Sequence, residues 1–357
     1  MEIADKYYLP SDDKNKLRWV TFRLTHSCPL KCSYCNQKEI KNLIKEKNDI
    51  GWTDILKSIS KVKAEKAMLN ITGGEPLLIK ALYEKEGILE YAKKYQFDVS
   101  INTSGMICNA NVWKKILSYD NIKSIYISLD SINENYLLNN YGVSNLLFNI
   151  EKIIKMIIQQ SKGKVKIYIS SVIDNNNWND YVDLLKYFEN QYDGNYDFNP
   201  LELKDKENFS NSLKPEQLKT FKVKVQEYLD ENKLHNKFSY LSSRIKKFGK
   251  VDYYVGANGN NGKFLLPEKC FTLQDSLYIL PNAVSFNCTY LTEAYLAGLQ
   301  KNHDVKEFEK FSINAKSQEI LARDKWMLVM EKTGCFNRDI CSEYCGPTVV
   351  DLNKKLE

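Results

Sequence analysis

The feature that most constrains this chain is an alternation that runs through residues 18–202. Short apolar, β-branched runs recur at 18–24, 67–72, 97–104, 123–130, 164–173 and 195–202. Between them lie stretches with helical periodicity, among them Leu82–Tyr95, Leu146–Gln159 and Tyr181–Gln191. From Ile150, apolar residues follow at Ile153, Ile154 and Ile157, the stripe of a helix laid on a sheet. Antiparallel neighbours can be joined by tight turns, but parallel ones need a crossover, and helices supply it here. The expected fold class is therefore α/β, as an open doubly wound sheet or a partial barrel of six strands. Either way, the chemistry gathers at the C-terminal strand ends. These read His26–Cys35, Gly73–Pro76, Thr103–Gly105, Ser128–Asp130, Ser170–Asp174 and Asn199–Glu202. They are polar, as befits one site built on one rim.

After Glu202 the pattern changes. Residues 213–248 read as two helices, with Pro215 suited to a first turn. The run "GANGNNGK" (256–263) marks a boundary, 275–288 reads as a hairpin around Pro281-Asn282-Ala283, and Gln318–Lys332 as a helix. The expected organisation is an N-terminal extension (1–16), a core (17–212), a helical connection (213–265) and a cysteine-rich C-terminal domain (266–357). A chain of 357 residues, 43% of them hydrophobic, is long enough to bury such cores. No apolar run approaches the roughly 18–20 residues of a membrane span, and the first residues hold no signal-peptide core, so the expected location is the cytoplasm. The net charge of +6 is spread out. Its densest stretch, Ser243–Lys250, reads as a solvated helix end, and nucleic acid is not an expected partner.

In that compartment disulfides are disfavoured, so nine cysteines call for metal binding or chemistry. Cys28, Cys32 and Cys35 stand at Cys-x3-Cys-x2-Cys directly after the first strand. Thiolates suit zinc or iron–sulfur iron. Zinc would need a fourth ligand, which His26 could offer, but zinc sites usually come as paired ligand couples. The other possibility is a cluster with one metal position left open. One strand later comes "NITGGEPLL" (70–78). Gly73 and Gly74 would let backbone approach a ligand closely, and Glu75 would offer a carboxylate to an ammonium group.

With "CPLKCSYC" followed by Gly73-Gly74-Glu75-Pro76, residues 17–202 resemble the radical S-adenosylmethionine (SAM) superfamily. The resemblance implies a partial (β/α)6 TIM-like barrel. It implies a 4Fe–4S cluster on Cys28, Cys32 and Cys35, with the fourth iron left for the amino and carboxylate groups of SAM. An electron from the cluster would then cleave SAM to a 5′-deoxyadenosyl radical that abstracts hydrogen from substrate. By the same resemblance Tyr34 lies beside the adenine, and Gly73, Gly74, Glu75 and Pro76 form the turn at the methionine end. Thr103, Ser104, Gly105, Ser128 and Asp130 line the ribose and methionine, and Leu201 contacts the adenine. Ser128 and Asp130 also read simply as solvated strand ends. Many relatives grip the SAM carboxylate with an arginine after strand four. "NENYLLNNYG" has none, which leaves Asn140 or a lysine as the substitute.

The C-terminal third, with Cys270, Cys288, Cys335, Cys341 and Cys345, resembles the auxiliary-cluster domains called SPASM and twitch. It departs from the full pattern at Lys332, where a further cysteine would stand, and at Ala283, where glycine is usual. Two complete cubanes need about eight ligands. Five cysteines support one auxiliary 4Fe–4S cluster, on Cys270, Cys288, Cys345 and either Cys335 or Cys341, with zinc as the alternative occupant. The leftover thiol, like Cys108, is a candidate hydrogen donor or an idle thiol.

The resemblance implies an enzyme that modifies ribosomal peptides by crosslinking or epimerisation, with a flavodoxin- or ferredoxin-type electron donor. A small-molecule dehydrogenase or epimerase is the second reading. A non-enzymatic metal or nucleic-acid binding protein is the third. The sulfatase-maturing branch carries aspartate after the hairpin cysteine, where this chain has Thr289.

Overall fold

The computed structural model describes residues 16–35, 51–203, 211–248, 276–286, 292 and 313–314. The chain divides into two compact units: 1–28 with 36–100 and 251–357, and 29–35 with 101–250.

In the first unit the strand order is β3-β2-β1-β7-β8-β9. β1 (Leu17–Arg23) and β2 (Lys63–Thr72) are parallel, with a register irregularity between Leu17 and Trp19. Val20 and Phe22 on β1, and Met68, Leu69 and Ile71 on β2, are fully buried. α1 (Trp52–Ile59) buries Ile55, Leu56 and Ile59, and Trp52 lies 4.6 Å from Phe22, ring centroid to ring centroid. α2 (Ile88–Lys94) packs on α1. It begins later than the expected Leu82 because two 3-10 turns, Pro76–Leu78 and Lys80–Leu82, take up the residues after β2.

The expected hairpin is present. β7 (Ser276–Ile279) runs parallel to β1, with Val20 opposite Leu277. It returns antiparallel as β8 (Val284–Phe286), which pairs with β9 (Ile313–Asn314). The turn closes through Ala283 N–H to Leu280 O at 2.9 Å and Val284 N–H to Asn282 Oδ1 at 3.1 Å. Ala283 holds a left-handed φ of 68°, which costs an L-residue roughly 1 kcal/mol. The expected helix Gln318–Lys332 lies outside the described residues.

In the second unit the order is β6-β5-β4-β3. β3 (Phe97–Thr103) has residues in both units. β4 (Ile122–Ser128), β5 (Lys166–Ile173) and β6 (Tyr196–Glu202) are parallel. α3 (Ala110–Leu117) packs on α5 (Leu146–Ser161), which buries Ile150, Ile153, Ile154 and Ile157 as its stripe predicts. α4 (Glu134–Tyr141) lies between β4 and α5 in the chain. Mostly parallel strands with helical crossovers agree with the expected partial barrel.

The helices expected to form a connection pack into this unit. α6 (Tyr181–Gln191) meets α7 (Pro215–Glu231), and α8 (Ser239–Lys247) lies on β6. One carboxylate secures α8. Asp197 of β6 is fully buried. It accepts from the Tyr240 and Leu241 amides at 3.0 and 3.1 Å and stands 3.6 Å from Lys166 Nζ. Burial pushes its carboxyl upward, and Lys166 and the amides pull it back. A negative charge at the first turn of a helix meets the amides that have no partner within the helix.

Two stability changes follow. Asp197→Ala strands a lysine and the Phe198, Tyr240 and Leu241 amides and should cost about 3 kcal/mol, read as a lower urea midpoint. Ala283→Gly relieves the left-handed turn and should gain up to about 1 kcal/mol, read as a higher midpoint of the full chain.

Candidate active site

In the first unit the site is a meeting of two backbones. The β1–β2 ladder does not stop where the strands end. Leu24 N–H donates to Thr72 O at 3.0 Å, Gly74 N–H to Thr25 O at 2.7 Å, and Glu75 N–H to Ser27 O at 2.8 Å. The Gly-Gly-Glu turn thus grips the stem of the cysteine loop. Gly73, at φ 138°, would place a Cβ 2.4 Å from Thr25 O, and Gly74 would place one 2.2 Å from Ser27 O. The glycines were expected to admit a ligand to the backbone. Their immediate reason is instead the close approach of residues 25–27, which no Cβ survives.

Glu75 is fully buried, and its Oε1 accepts from Leu77 N–H at 3.1 Å, capping the 3-10 turn that Pro76 begins. A buried carboxylate demands donors or a cation, which suits it to an ammonium group. Thr25 and His26 are buried in the same stem, where Thr25 Oγ1 accepts from Ser27 N–H at 2.9 Å.

In the second unit Tyr34 is the anchor of the loop. Its hydroxyl donates to Asp130 Oδ2 at 2.7 Å. Val172 N–H donates to Asp130 Oδ1, also at 2.7 Å. Asp130 is 1% exposed, so both oxygens of this expected cofactor contact are spent within the protein. Burial pushes its carboxyl up to about 6, against the hydrogen bonds that favour the ionised form. The Tyr34 hydroxyl is raised in turn, by burial and then by the charge of Asp130. The buried Tyr141 hydroxyl lies beside the same carboxylate without completing a hydrogen bond of full geometry.

Behind Asp130 stands a group that the sequence reading passed over. Asn177 Nδ2 donates to Asp130 O at 3.1 Å, Val172 O at 2.7 Å and the Tyr136 hydroxyl at 3.0 Å. Tyr136 donates to Asp174 Oδ2 at 3.3 Å, and Asp174 Oδ1 accepts from the Asn176 and Asn177 amides. These residues tie the ends of β4 and β5 together.

The other expected residues fall at strand ends. Thr103 and Ser104 are buried, and Thr103 Oγ1 accepts from Gly105 N–H at 3.2 Å. Gly105, at φ 76°, packs against Ile150. Ser128 shares a register row with Ser170 and Asn199, and Asn199 Nδ2 donates to Ser170 Oγ at 3.1 Å. Leu201 lies opposite Val172, two rows beyond. Cys108 is half-buried, and burial pushes its thiol pKa up, partly opposed by Lys152.

Cys28, Cys32 and Cys35 are half-buried. Among the described residues, no three His, Cys, Asp or Glu side chains gather closely enough to hold a single metal ion. A four-iron cluster sets each thiolate on its own iron and does not require that they do. By donor chemistry, three thiols within eight residues fit such a cluster. The expected auxiliary ligands Cys270, Cys288, Cys335, Cys341 and Cys345 lie outside the described residues. No helix among the described residues is long and apolar enough to cross a membrane.

Comparison with known proteins agrees with this layout. The family model described as "Radical SAM superfamily" matches residues 22–188. The GTP 3',8-cyclase of Staphylococcus epidermidis is 27% identical over 184 residues, 49% of this chain and 52% of the relative. The chain thus spans about half the length of the curated relatives it matches. Among solved structures, anSMEcpe with bound AdoMet and the Cp18Cys peptide is similar at a TM-score of 0.61 and 17% identity, over 88% of this chain and 82% of that one. Streptococcus suis SuiB bound to precursor peptide SuiA is similar at 0.54 and 15%, over 87% and 64%.

The stem geometry makes one prediction. Gly73→Ala and Gly74→Ala each force the turn off residues 25–27, and each should cost about 2 kcal/mol through overpacking. Urea denaturation of the full chain checks it.

Proposed function

The chain belongs to the radical SAM superfamily, whose model matches residues 22–188, and on that premise we propose that it modifies a ribosomally made peptide. Family membership implies SAM and a 4Fe–4S cluster. Cys28, Cys32 and Cys35 are the residues that would hold the cluster, and Glu75, with the Gly73-Gly74 turn, would receive the methionine end of SAM. When bound, the pair supplies a 5′-deoxyadenosyl radical that takes hydrogen from substrate. The protein's own part is to fix the loop, orient the cofactor and keep water away. Of the expected contacts, Thr103, Ser104, Ser128 and Leu201 stand at the ends of β3, β4 and β6 and remain candidates for the nucleoside. Asp130 and Tyr34 are occupied with each other.

The observation that carries the peptide reading is the extent of the likeness. The match to a peptide-bound neighbour covers 88% of this chain, well past residue 188. The nucleotide-cyclising relative shares only about half of each chain. A fold alone does not fix a substrate, and the 27% identity to that relative favours a second reading, a radical reaction on a nucleotide or other small molecule. In this proposal the C-terminal cysteines carry one auxiliary 4Fe–4S cluster, and a flavodoxin- or ferredoxin-type protein delivers electrons.

Anaerobic assays with SAM and a chemical reductant separate the readings. Peptides encoded beside the gene should raise 5′-deoxyadenosine formation and leave with an altered mass, while GTP leaves the rate at its background. Stimulation by GTP alone, with a cyclised nucleotide as product, would overturn the peptide assignment.

A further inference from the structure

The cysteine loop is irregular backbone, and irregular backbone must find hydrogen-bond partners outside itself. Residues 29–35 find theirs in the last turn of α4. Lys31 N–H donates to Tyr141 O at 2.8 Å, and Ser33 N–H donates to Asn140 O at 3.0 Å. The final carbonyls of a helix have no acceptor role within it, so two sets of unsatisfied groups complete each other. The side chains repeat the contact, because Ser33 Oγ donates to Asn140 Oδ1 at 2.9 Å. Asn140 Nδ2 turns the other way, to Tyr136 O at 3.2 Å. The amide that stood as a candidate grip for the SAM carboxylate is therefore engaged on both ends. One residue past Ser33, the Tyr34 hydroxyl reaches Asp130.

We propose that the last turn of α4 and the buried Asp130 form a two-point latch that sets the cysteine loop in place before any metal arrives. Asn140 and Asp130 act in it as positioning residues. They fix the backbone on either side of Cys32, so that Cys32 and Cys35 are presented by a held loop. Asp130 is braced in its turn by Val172 N–H and by Asn177, which also holds Tyr136 of α4. One buried group thus links both latch points, and loosening either should loosen the other. That the loop's purpose is to hold a cluster rests on the radical SAM reading; the latch itself does not.

The test uses the full chain free of iron, in wild type, Asp130→Asn, Asn140→Ala, Tyr34→Phe and the exposed control Asp183→Asn. Amide hydrogen exchange is read at Lys31 and Ser33, and at α5 as an internal reference. Exchange at Lys31 and Ser33 should rise about fivefold or more in the three latch variants, the factor expected for one lost hydrogen bond, with α5 and the control unchanged. Tyr34→Phe removes only a hydroxyl and keeps the test open if Asp130→Asn folds poorly. Each variant is then reconstituted, and the line shape of its reduced cluster, with and without SAM, should broaden relative to wild type. Unchanged exchange at Lys31 and Ser33 in all three variants overturns the latch, and so does an equal rise over α5. Should the wild type take up no iron, the radical SAM reading fails while the exchange result still decides the latch.

Discussion

The site depends first on a parallel β-ladder that continues past its strands. The three backbone bonds from residues 72–75 to the stem at 24–27 convert the end of β2 into a clamp on the start of the cysteine loop. That clamp needs two residues without a Cβ, because the carbonyls of Thr25 and Ser27 occupy the space that one would fill. The sequence "GGE" is thus explained twice. The glycines close the backbone gap, and Glu75, fixed by the same clamp, is held buried where its charge requires a partner. Stem geometry and carboxylate placement cannot be separated by mutation at these glycines.

Buried carboxylates organise the second unit in a similar way. Asp197 receives the first turn of α8, and Asp130 receives Tyr34 and the Val172 amide. Each is a charge removed from water, costly by itself and tolerable because donors meet both of its oxygens. Each joins an element distant in sequence to the end or middle of a strand: residue 240 to 197, and residue 34 to 130. Apolar packing would hold these elements at the right distance. Directed hydrogen bonds also fix their rotation, which a metal-binding loop needs more than a core helix does.

Much of this was legible in the sequence. The six strands and the hairpin could be read because their apolar residues are β-branched and bounded by polar ends. β2 starts four residues earlier than expected, at Lys63, since Glu65 and Lys66 at its exposed beginning mask the strand. The short helices α1, α3 and α4 were missed because eight residues hold barely two turns of periodicity. Asparagine caps were the available signal. Asn109 and Asn133 both accept amides from the first turns of α3 and α4. The motif residues were placed correctly at strand ends, but their partners were not visible. Asp174 was counted among the strand ends, but Tyr136, Tyr141 and Asn177 sit in polar stretches with no motif of their own. Their meeting with Asp130 is a product of the β4–β5 pairing, which no local pattern encodes. For the same reason the bonds from Tyr34 and Val172 to Asp130 were not visible in the sequence.

The claim at the centre of this account is that Cys28, Cys32 and Cys35 hold a four-iron cluster. Iron and acid-labile sulfide per chain, measured after anaerobic reconstitution of wild type and of the Cys28→Ala/Cys32→Ala/Cys35→Ala variant, test it most directly. The account predicts that the variant holds about four fewer irons and four fewer sulfides than wild type. Equal iron in the two proteins, or a wild type that binds zinc in place of iron, would contradict it.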